Sequence, residues 1–321
     1  SGRANRMRRA LTVSGIALLV TFAQTLPALA EDLGEYLERA AAAEYSGEVF
    51  IVCDTPDGTI AQFVEVTRSG DELWVRTSGS EAVAANGELY QRGADGTVQA
   101  TRIDSSAAWE VSPRYTARDA GRARELERPV RVVTVMEGEF ERVMLHFDDA
   151  TGALLRSEVR NGDRSLYCSS SFVSFSAEPQ AIDTSVRQGT PESAKVVDFS
   201  TIDEEVLPAR VGGFNRLDVY EGPESSTVAY YSDGVFSFTV IASRKTVTIP
   251  ELEDAPVAEV AGEKYRRLFQ PGQVVFAWES RVGGYALIGD LPLDLQEAVL
   301  RDLPIPGRPG FFTRLWRSWF G

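Results

Sequence analysis

The sequence predicts an α+β protein made of two units, each built around antiparallel β-strands. Three observations lead to this fold class. Residues 32–44 have the apolar spacing of a helix, the chain from Gly47 onward alternates apolar and polar residues in short runs, and the polar stretch 177–195 divides the strand-rich chain. The composition, 43% hydrophobic and 25% charged over 321 residues, is that of a globular chain of one large or two ordinary domains.

The N-terminus has the pattern of an export signal. Four arginines precede an apolar stretch from about Leu11 to Ala23, and Pro27-Ala28-Leu29-Ala30 forms an A-x-A-type cleavage site. We therefore predict that residues 1–30 are a signal peptide, removed before Glu31. The alternative is an uncleaved membrane anchor, although the apolar stretch is short for a span and polar residues interrupt it.

The charge balance excludes one class of partner. The formal net charge is −14, and it becomes −18 for residues 31–321, because 29 basic residues then stand against 47 acidic ones. A chain this acidic is not expected to bind DNA or RNA, since phosphate binding requires a basic surface.

Two cysteines, Cys53 and Cys168, lie in strand-like segments. In an oxidising compartment an isolated pair is a candidate disulfide, and this one would close a loop of more than a hundred residues. The alternative is two separate buried thiols that pack as small hydrophobic side chains. Their spacing fits neither a zinc site nor a C-x-x-C redox pair.

Residues 31–176 are predicted to form one helix followed by an antiparallel meander. Asp32 and Glu35 have capping-box spacing at the start of the helix. Short strands follow, separated by turn residues such as Asp57-Gly58 and Thr151-Gly152. The Arg-rich stretch 104–128 breaks the alternation, and we predict helical or loop structure there that crosses the sheet.

Residues 177–195 have few large apolar side chains and are predicted to be a linker. A smaller α+β domain is predicted over 196–303. It contains the hairpin VAYYSDGVFSFTVIA, whose turn has the Asp233-Gly234 pair that tight hairpins favour. Further strands are predicted at KTVTIP, QVVFAWESRV and GYALIGD, followed by a helix over LDLQEAVLRDL.

No residue pattern indicates catalytic chemistry. The single histidine, His146, lies on a predicted strand without a second histidine or a cysteine motif, and Asp148-Asp149 is interpreted as the opening of a turn. The sequence lacks a G-x-S-x-G elbow, a Walker loop and a G-x-G-x-x-G run. We predict a protein that is not an enzyme and has no metal or cofactor. The alternative is a hydrolase whose site is assembled by folding.

A curved sheet with a helix against it can enclose an apolar cavity. The candidate lining residues are Phe50, Val52, Phe63, Leu73, Val75 and Val133. Two interpretations stay open, because filled and empty cavities have the same alternation: these side chains form a core under the helix, or they surround an acyl chain.

The C-terminal segment 304–321 differs from the rest of the chain. On a helix, its aromatic side chains, among them Phe312, Trp316 and Trp319, occupy one half, and its arginines the other half. This pattern is typical of a helix that lies at a membrane interface. The alternative is that the aromatic half packs on the protein itself.

Three segments resemble the RseB/MucB-type regulators of envelope-stress sigma factors. The hairpin AYYSDGVFSFTV resembles the signature of that family, and its structural positions here are Tyr231, Asp233, Gly234, Phe236 and Phe238. The ending ALIGDLPLDLQEAVLRDL is similar to the family's strand-then-helix V-x-G-E-L-P, with Asp290 in place of the usual Glu. The hairpin LHFDDATGALLRSEVRNGD is similar to a hairpin in the first domain of that family, with Phe147 at a position that is usually Trp.

The resemblance implies a LolA/LolB-like half-barrel covered by helices in the first domain, able to bind lipid-bearing ligands. It implies that the second domain docks on the extracytoplasmic part of a membrane-spanning anti-sigma factor. The protein would then be an exported, periplasmic or extracytoplasmic negative regulator that senses lipid-linked signals. The alternative function is a lipid or lipoprotein carrier of the cell envelope.

Overall fold

The computed structural model describes residues 31–85, 88–93, 98–102, 112–187, 192–193, 197–198, 202–222, 226–244, 252 and 254–307. Within these ranges the chain forms two open, largely antiparallel sheets, which we call the first and the second sheet. This confirms the β-rich, antiparallel architecture that the alternating runs predict. The predicted strand KTVTIP and the aromatic part of the tail, from residue 308 onward, lie outside the described residues.

The first sheet contains 12 strands and is preceded by the helix α1 (Glu31–Ala42). Its strands are β1 (Tyr45–Thr55), β2 (Gly58–Ser69), β3 (Glu72–Arg76), β4 (Glu81–Ala85), β5 (Glu88–Arg92), β6 (Val98–Arg102), β7 (Tyr115–Glu125), β8 (Arg128–Glu137), β9 (Phe140–Asp148), β10 (Leu154–Arg160), β11 (Leu166–Ser176) and β12 (Glu192–Ser193). Their order is β12-β6-β5-β4-β3-β2-β1-β11-β10-β9-β8-β7, and β12 is parallel to β6. The first strand is thus central, paired with both β2 and β11.

The second sheet contains eight strands. These are β13 (Arg210–Val211), β14 (Phe214–Glu221), β15 (Thr227–Ser232), β16 (Ser237–Ser243), β17 (Val257–Val260), β18 (Glu263–Gln270), β19 (Gln273–Glu279) and β20 (Gly284–Gly289), and the helix α2 (Leu293–Asp302) follows them. Their order is β13-β14-β15-β16-β20-β19-β18-β17. The hairpin of β15 and β16 is the one that the Asp233-Gly234 pair predicts.

Helix α1 packs on the β8–β9 region of the first sheet. The ring of Tyr36 stacks on Phe147 at 5.4 Å between centroids, and Arg131 Nε donates a hydrogen bond to Tyr36 Oη at 3.2 Å. The Thr151-Gly152 turn lies directly against the helix: Gly152 has φ +80°, and a Cβ at this position would lie 3.0 Å from Arg39 Cβ. Only glycine satisfies both the left-handed backbone and the close approach without strain.

The prediction of helical or loop structure over 104–128 is wrong for its second half, which forms β7. This strand is the last of its sheet, so it has a neighbour on one side only. Its sequence, YTARDAGRARE, therefore alternates small and charged residues rather than large apolar and polar ones. An edge strand buries less apolar surface than a central one, and its signal in the sequence is correspondingly weak. Residues 103–111 lie outside the described residues.

The described residues 177–187 of the predicted linker pack against the first sheet. Its 3-10 helix, Thr184–Arg187, places Val186 in a small cluster with Trp74, Val83 and Tyr90. Arg187 forms an ion pair with Glu72 at 2.8 Å. These contacts hold the connection between the two sheets on the β3–β5 part of the first one.

The two sheets share one core. A single cluster of buried apolar side chains includes Val49, Ile51 and Val159 from the first sheet and Phe236 and Tyr265 from the second. Cys53 and Cys168 stand directly opposite each other on β1 and β11 and form a disulfide. The backbone N–H of Gly272, in the second sheet, donates to Cys53 Sγ at 3.3 Å, so the bridge lies where the sheets meet. Among the described residues, no helix has the length and apolar character needed to span a membrane.

Removal of the disulfide is expected to lower the stability of the whole chain. The bridge joins positions 115 residues apart, and constraining a loop of this length contributes about 4 kcal/mol in the chain-entropy description. We expect Cys53→Ala/Cys168→Ala to lower the free energy of unfolding in urea by about that amount. An unchanged unfolding midpoint relative to the oxidised wild type would show that the bridge is not formed or does not constrain the chain.

Candidate functional site

The turn between β15 and β16 is organised by its own side chains. Asp233 Oδ1 accepts the backbone N–H groups of Val235 at 3.0 Å and Phe236 at 2.8 Å. Ser232 Oγ accepts the N–H of Gly234 at 2.9 Å, and Gly234 has φ +86°. Short polar side chains that bond to the following backbone groups stabilise such turns. One oxygen of Asp233 is thereby used within the hairpin.

The other oxygen of Asp233 holds the second sheet against the first. Asp233 Oδ2 accepts a hydrogen bond from Tyr115 Oη at 2.9 Å and forms an ion pair with Arg114. The N–H of Ser112 donates to the backbone oxygen of Asp233 at 2.8 Å. The Asp233 side chain is 0% exposed, and burial raises the pKa of its carboxyl group against the opposing effect of Arg114. This turn therefore anchors the hairpin to the start of β7.

A second anchor forms at the start of α2. The carboxylate of Asp294 accepts hydrogen bonds from Nη1 and Nη2 of Arg142, at 3.1 Å and 2.6 Å. It also accepts one from the backbone N–H of Gly162 at 2.9 Å. Leu293 N–H donates to Asn161 Oδ1 at 3.0 Å. Arg142 is only 2% exposed, so its guanidinium depends on these partners and on Glu137 for compensation. A carboxylate in the first turn is also favourable toward the helix dipole.

We call these two anchors, together with the partly buried acid Asp290 at the end of β20, the joint between the sheets. Its side chains hold the two sheets in a fixed position. Each carboxylate of the two anchors already accepts hydrogen bonds from both sheets or from its own turn, and bidentate arginine contacts hold such groups in one geometry.

A small cavity of about 30 Å³ lies at the joint. It is lined on one side by Ile51, Ser157, Cys168 and Ser170 of the first sheet, and on the other by Phe236, Gly272 and Asp290. This volume holds about one water molecule and is far too small for an acyl chain.

Asp290 is the acid that stands where the resembling family usually has Glu. Its Oδ1 accepts the N–H of Ser237 at 2.8 Å. Burial in the wall of the cavity raises the pKa of its carboxyl group to about 7, because the charged form loses its hydration. The nearby Asp233 acts in the same direction.

The structure divides the six residues of the predicted cavity between two faces of the first sheet. Leu73, Val75 and Val133 are buried in the shared core. Phe50 and Phe63 face the opposite side, where their rings lie 4.8 Å apart and Phe63 is 54% exposed.

Val52 belongs to the same outer face as Phe50, because it alternates with the buried Ile51 and Cys53. The inner positions of β1 are thus Val49, Ile51 and Cys53, each one residue from those predicted. Strand alternation separates the two faces of a strand but does not say which one is inside.

The remaining candidate residues have structural surroundings. His146 is buried, with Nδ1 2.9 Å from Glu125 Oε1, and burial lowers the pKa of its imidazole. Asp148 opens a turn, as predicted, by accepting the N–H and Oγ1–H of Thr151 at 2.8 and 2.7 Å. Within the ranges that the structure describes, no group of three or more His, Cys, Asp or Glu side chains could hold a metal ion.

The remaining hairpin signature residues, Tyr231, Phe236 and Phe238, are all buried. Tyr231 stacks on Phe238 at 4.9 Å, and Tyr231 Oη donates to the backbone oxygen of Pro208 at 2.8 Å. Phe236 reaches the first sheet, with its ring 6.4 Å from Tyr115. Sequence reasoning missed the partners Arg114, Tyr115 and Arg142, which are more than a hundred residues from the acids that they bind.

No family model and no curated relative matches the chain. Among solved structures, a crystal structure of MucB is 18% identical with a TM-score of 0.48, and the match covers 87% of this chain and 99% of that one. The MucA/MucB complex of Pseudomonas aeruginosa is 19% identical with a TM-score of 0.47, with the same coverage. A LolA superfamily protein of Nitrosomonas europaea is 10% identical with a TM-score of 0.21, over 82% of this chain and 91% of that one.

The similar structures thus include MucB, of the RseB/MucB type that the three segments resemble. At identities under 25% and TM-scores under 0.5, these structures do not by themselves argue for a partner or a ligand. The arrangement of the chain's own residues has to do that.

Loss of the Asp233 carboxylate is expected to destabilise the protein strongly. Asp233→Ala removes the acceptor of the turn and leaves Arg114 without its buried partner, which costs about 3 kcal/mol in urea unfolding. The matched control is Glu297→Ala, an exposed ion pair with Arg301, which we expect to change stability by less than about 0.5 kcal/mol. Equal effects of the two substitutions would show that the joint does not depend on Asp233.

The carboxyl group of Asp290 is expected to make stability depend on pH. Its folded pKa of about 7 lies above the value of an unfolded aspartate, so the folded state binds the proton more tightly between those values. The stabilisation that the protonated carboxyl group of Asp290 gives to the folded state is therefore fully present below about pH 4. It is lost as the pH rises to about 7. We expect Asp290→Asn to exceed the wild type in stability at pH 8, with the difference shrinking toward pH 4. A difference that is constant from pH 4 to pH 8 would contradict the raised pKa.

Proposed function

We propose that this chain is an exported, non-enzymatic negative regulator that binds the extracytoplasmic part of a membrane-anchored anti-sigma factor. One observation carries the proposal: the three segments that resemble RseB/MucB-type regulators, far apart in the sequence, meet at the joint. Asn161 and Gly162 of the first segment contact Leu293 and Asp294 of the third.

The second segment meets the third as well. Its Phe238 is paired with Gly289 on adjacent strands, and Ser237 N–H donates to Asp290. The resemblance thus lies in the residues that fix the two sheets to each other. In this chain the three segments act together in building a two-sheet body, and this supports the function that the resemblance implies.

The chemistry of the site favours binding over catalysis. The acids of the joint accept internal hydrogen bonds, and the cavity beside Asp290 has room for about one water molecule. MucB, one of the similar structures, was solved in a complex with MucA and with MucA(peri). A protein partner is a ligand that such a body can accept on its surface.

Export is supported by two features of the chain. The first 30 residues have the pattern of a cleavable signal, and Cys53 and Cys168 form a disulfide. Disulfides persist in oxidising compartments, which include the periplasm. We place the protein at the periplasmic or extracytoplasmic face of the cell membrane.

We infer that a lipid-linked signal acts by binding the inner face of the first sheet. Phe236 of the second sheet lies against the cavity that Ile51 and Ser170 of the first sheet line. An acyl chain can bind at this inner face only if the second sheet moves away. Lipid binding would thus compete with the joint, and a carrier that uses the first sheet alone would have to open it.

Residues 31–321, immobilised as folded protein and exposed to detergent extracts of the envelope, are expected to retain a single-span membrane protein. Asp233→Ala serves as a variant with a weakened joint, and Glu297→Ala as its surface control. We expect the control to recover the partner as the wild type does and the joint variant to recover less. Repeated recovery of no membrane protein by folded wild type would contradict the proposal, and recovery of acyl lipid instead would favour a carrier.

A further inference from the structure

Within the described ranges the two sheets together have four edge strands, and three of them are very short. Strands β12 and β13 have two residues each, and β17 has four. Short edges leave few unpaired backbone groups, which is one way in which proteins avoid unwanted strand pairing. Strand β7, at the remaining edge, has 11 residues. It presents the longest row of backbone groups that a further strand can pair with in the described part of the chain.

The same strand lies in a basic stretch of an acidic protein. Residues 112–131 contain six arginines against three acidic residues, whereas the whole chain has a net charge of −14. Three of these arginines point into solvent from β7: the side chains of Arg118, Arg122 and Arg124 are 60%, 75% and 68% exposed. A local field of this sign attracts anionic partners to one edge of a protein that repels them elsewhere.

The present partners of these arginines are replaceable. Arg118 lies 3.2 Å from Glu141, and Arg122 lies 3.9 Å from Asp149. Arg124 lies 3.6 Å from Glu127, which is itself 97% exposed. Exposed ion pairs of this kind contribute little to stability, so an incoming carboxylate can take the place of each internal one.

Charge and irregularity also protect an edge from self-association, and β7 has both. The strand has a bulge between Asp119 and Gly121, where Gly121 has φ +98° and its N–H donates to Asp119 Oδ1 at 2.8 Å. Bulges and like charges discourage pairing between copies of the same edge. Three exposed arginines repel a second β7 but attract a strand that carries acidic side chains. The pattern thus selects against a second copy of the chain and in favour of an acidic segment.

We propose that the edge of β7 binds an extended, acidic segment of a partner protein by strand addition. Main-chain hydrogen bonds to the edge would supply affinity, and carboxylates opposite Arg118, Arg122 and Arg124 would supply selectivity. The inference deepens the proposed function and rests on it for one point only: the segment belongs to the extracytoplasmic part of the anti-sigma factor.

The edge is directly connected to the joint. Strand β7 begins at Tyr115, whose hydroxyl group donates to Asp233, and Arg114 precedes it. Arg118 is thus three residues from a residue that holds the two sheets together. A bound segment on this edge would stabilise the strand that carries half of the Asp233 anchor.

The direct test uses synthetic peptides and the folded chain of residues 31–321. The probe is a fluorescent peptide of about ten residues in which Glu and Thr alternate. Two control peptides are titrated in the same way. In one, Lys replaces Glu, and the other is the Glu–Thr peptide with N-methylated backbone amides at alternate residues. Three contacts of surface ion-pair strength should make the acidic peptide bind with a Kd about tenfold lower than the basic one. N-methylation, which removes backbone donors but no charge, should abolish binding. An acidic peptide that does not bind, or that binds equally well when methylated, overturns strand addition.

Charge reversal locates the peptide. Arg118→Glu/Arg122→Glu/Arg124→Glu should reverse the preference so that the basic peptide binds more tightly. The matched control reverses three exposed arginines elsewhere, Arg76, Arg210 and Arg301, for the same net change. It should keep the preference of the wild type. A control that loses the preference as the β7 variant does would mean that overall charge, and not this edge, attracts the peptide.

Capture from envelope extracts separates this inference from the proposed function. If wild type and the β7 variant retain the membrane partner equally, the proposed function stands and the β7 edge is not its binding site. If wild type retains no partner, the proposed function fails while the peptide titration still decides the inference. Binding of wild type, but not the β7 variant, to vesicles of anionic phosphatidylglycerol with no binding of the acidic peptide would assign the edge to a membrane surface and overturn the proposal.

Discussion

The carboxylate of Asp233 is the contact on which the arrangement of the two sheets depends. One oxygen organises the turn of the β15–β16 hairpin through Val235 and Phe236, and the other accepts hydrogen bonds from Arg114 and Tyr115 of the first sheet. A buried carboxylate is stable only when its lost hydration is replaced, and here the replacement comes from both sheets at once. Loss of this carboxylate would therefore disturb both the turn of the hairpin and its position on the first sheet.

That constraint brings the inner faces of the two sheets into contact. The Asp233 and Asp294 anchors hold Phe236 and the start of α2 against the inner face of the first sheet, so the apolar side chains of both sheets form one core. Among the described residues, one cavity between them, beside Asp290, has the size of a water molecule. A protein built in this way presents its chemistry on its surface. The edge of β7, with 11 residues, is the longest edge strand in the described part of that surface.

Helices and strands were predictable where the signal for them lies within a few neighbouring residues. Period-two alternation and Gly-containing turns indicate most strands, and Asp233-Gly234 indicates its hairpin, because both signals lie within a few residues. Strand β7 was missed because an edge strand with Arg and Ala at alternate positions lacks the apolar period. Phe50 was placed on the wrong side because alternation does not identify the inner face. Arg114 and Arg142 could not be assigned at all, since their acids lie far away in the chain and only the fold brings them together.

Hydrogen exchange of the backbone amides, measured on residues 31–321 alone and bound to the captured membrane partner, tests the account most directly. The amides of Val235, Phe236 and Gly162 donate to the acids of the joint. If the joint is a fixed body that binds its partner on the surface, these amides stay equally protected in both states, and new protection appears on surface strands. Loss of protection at these three amides on binding would contradict it, because the partner would then enter between the sheets.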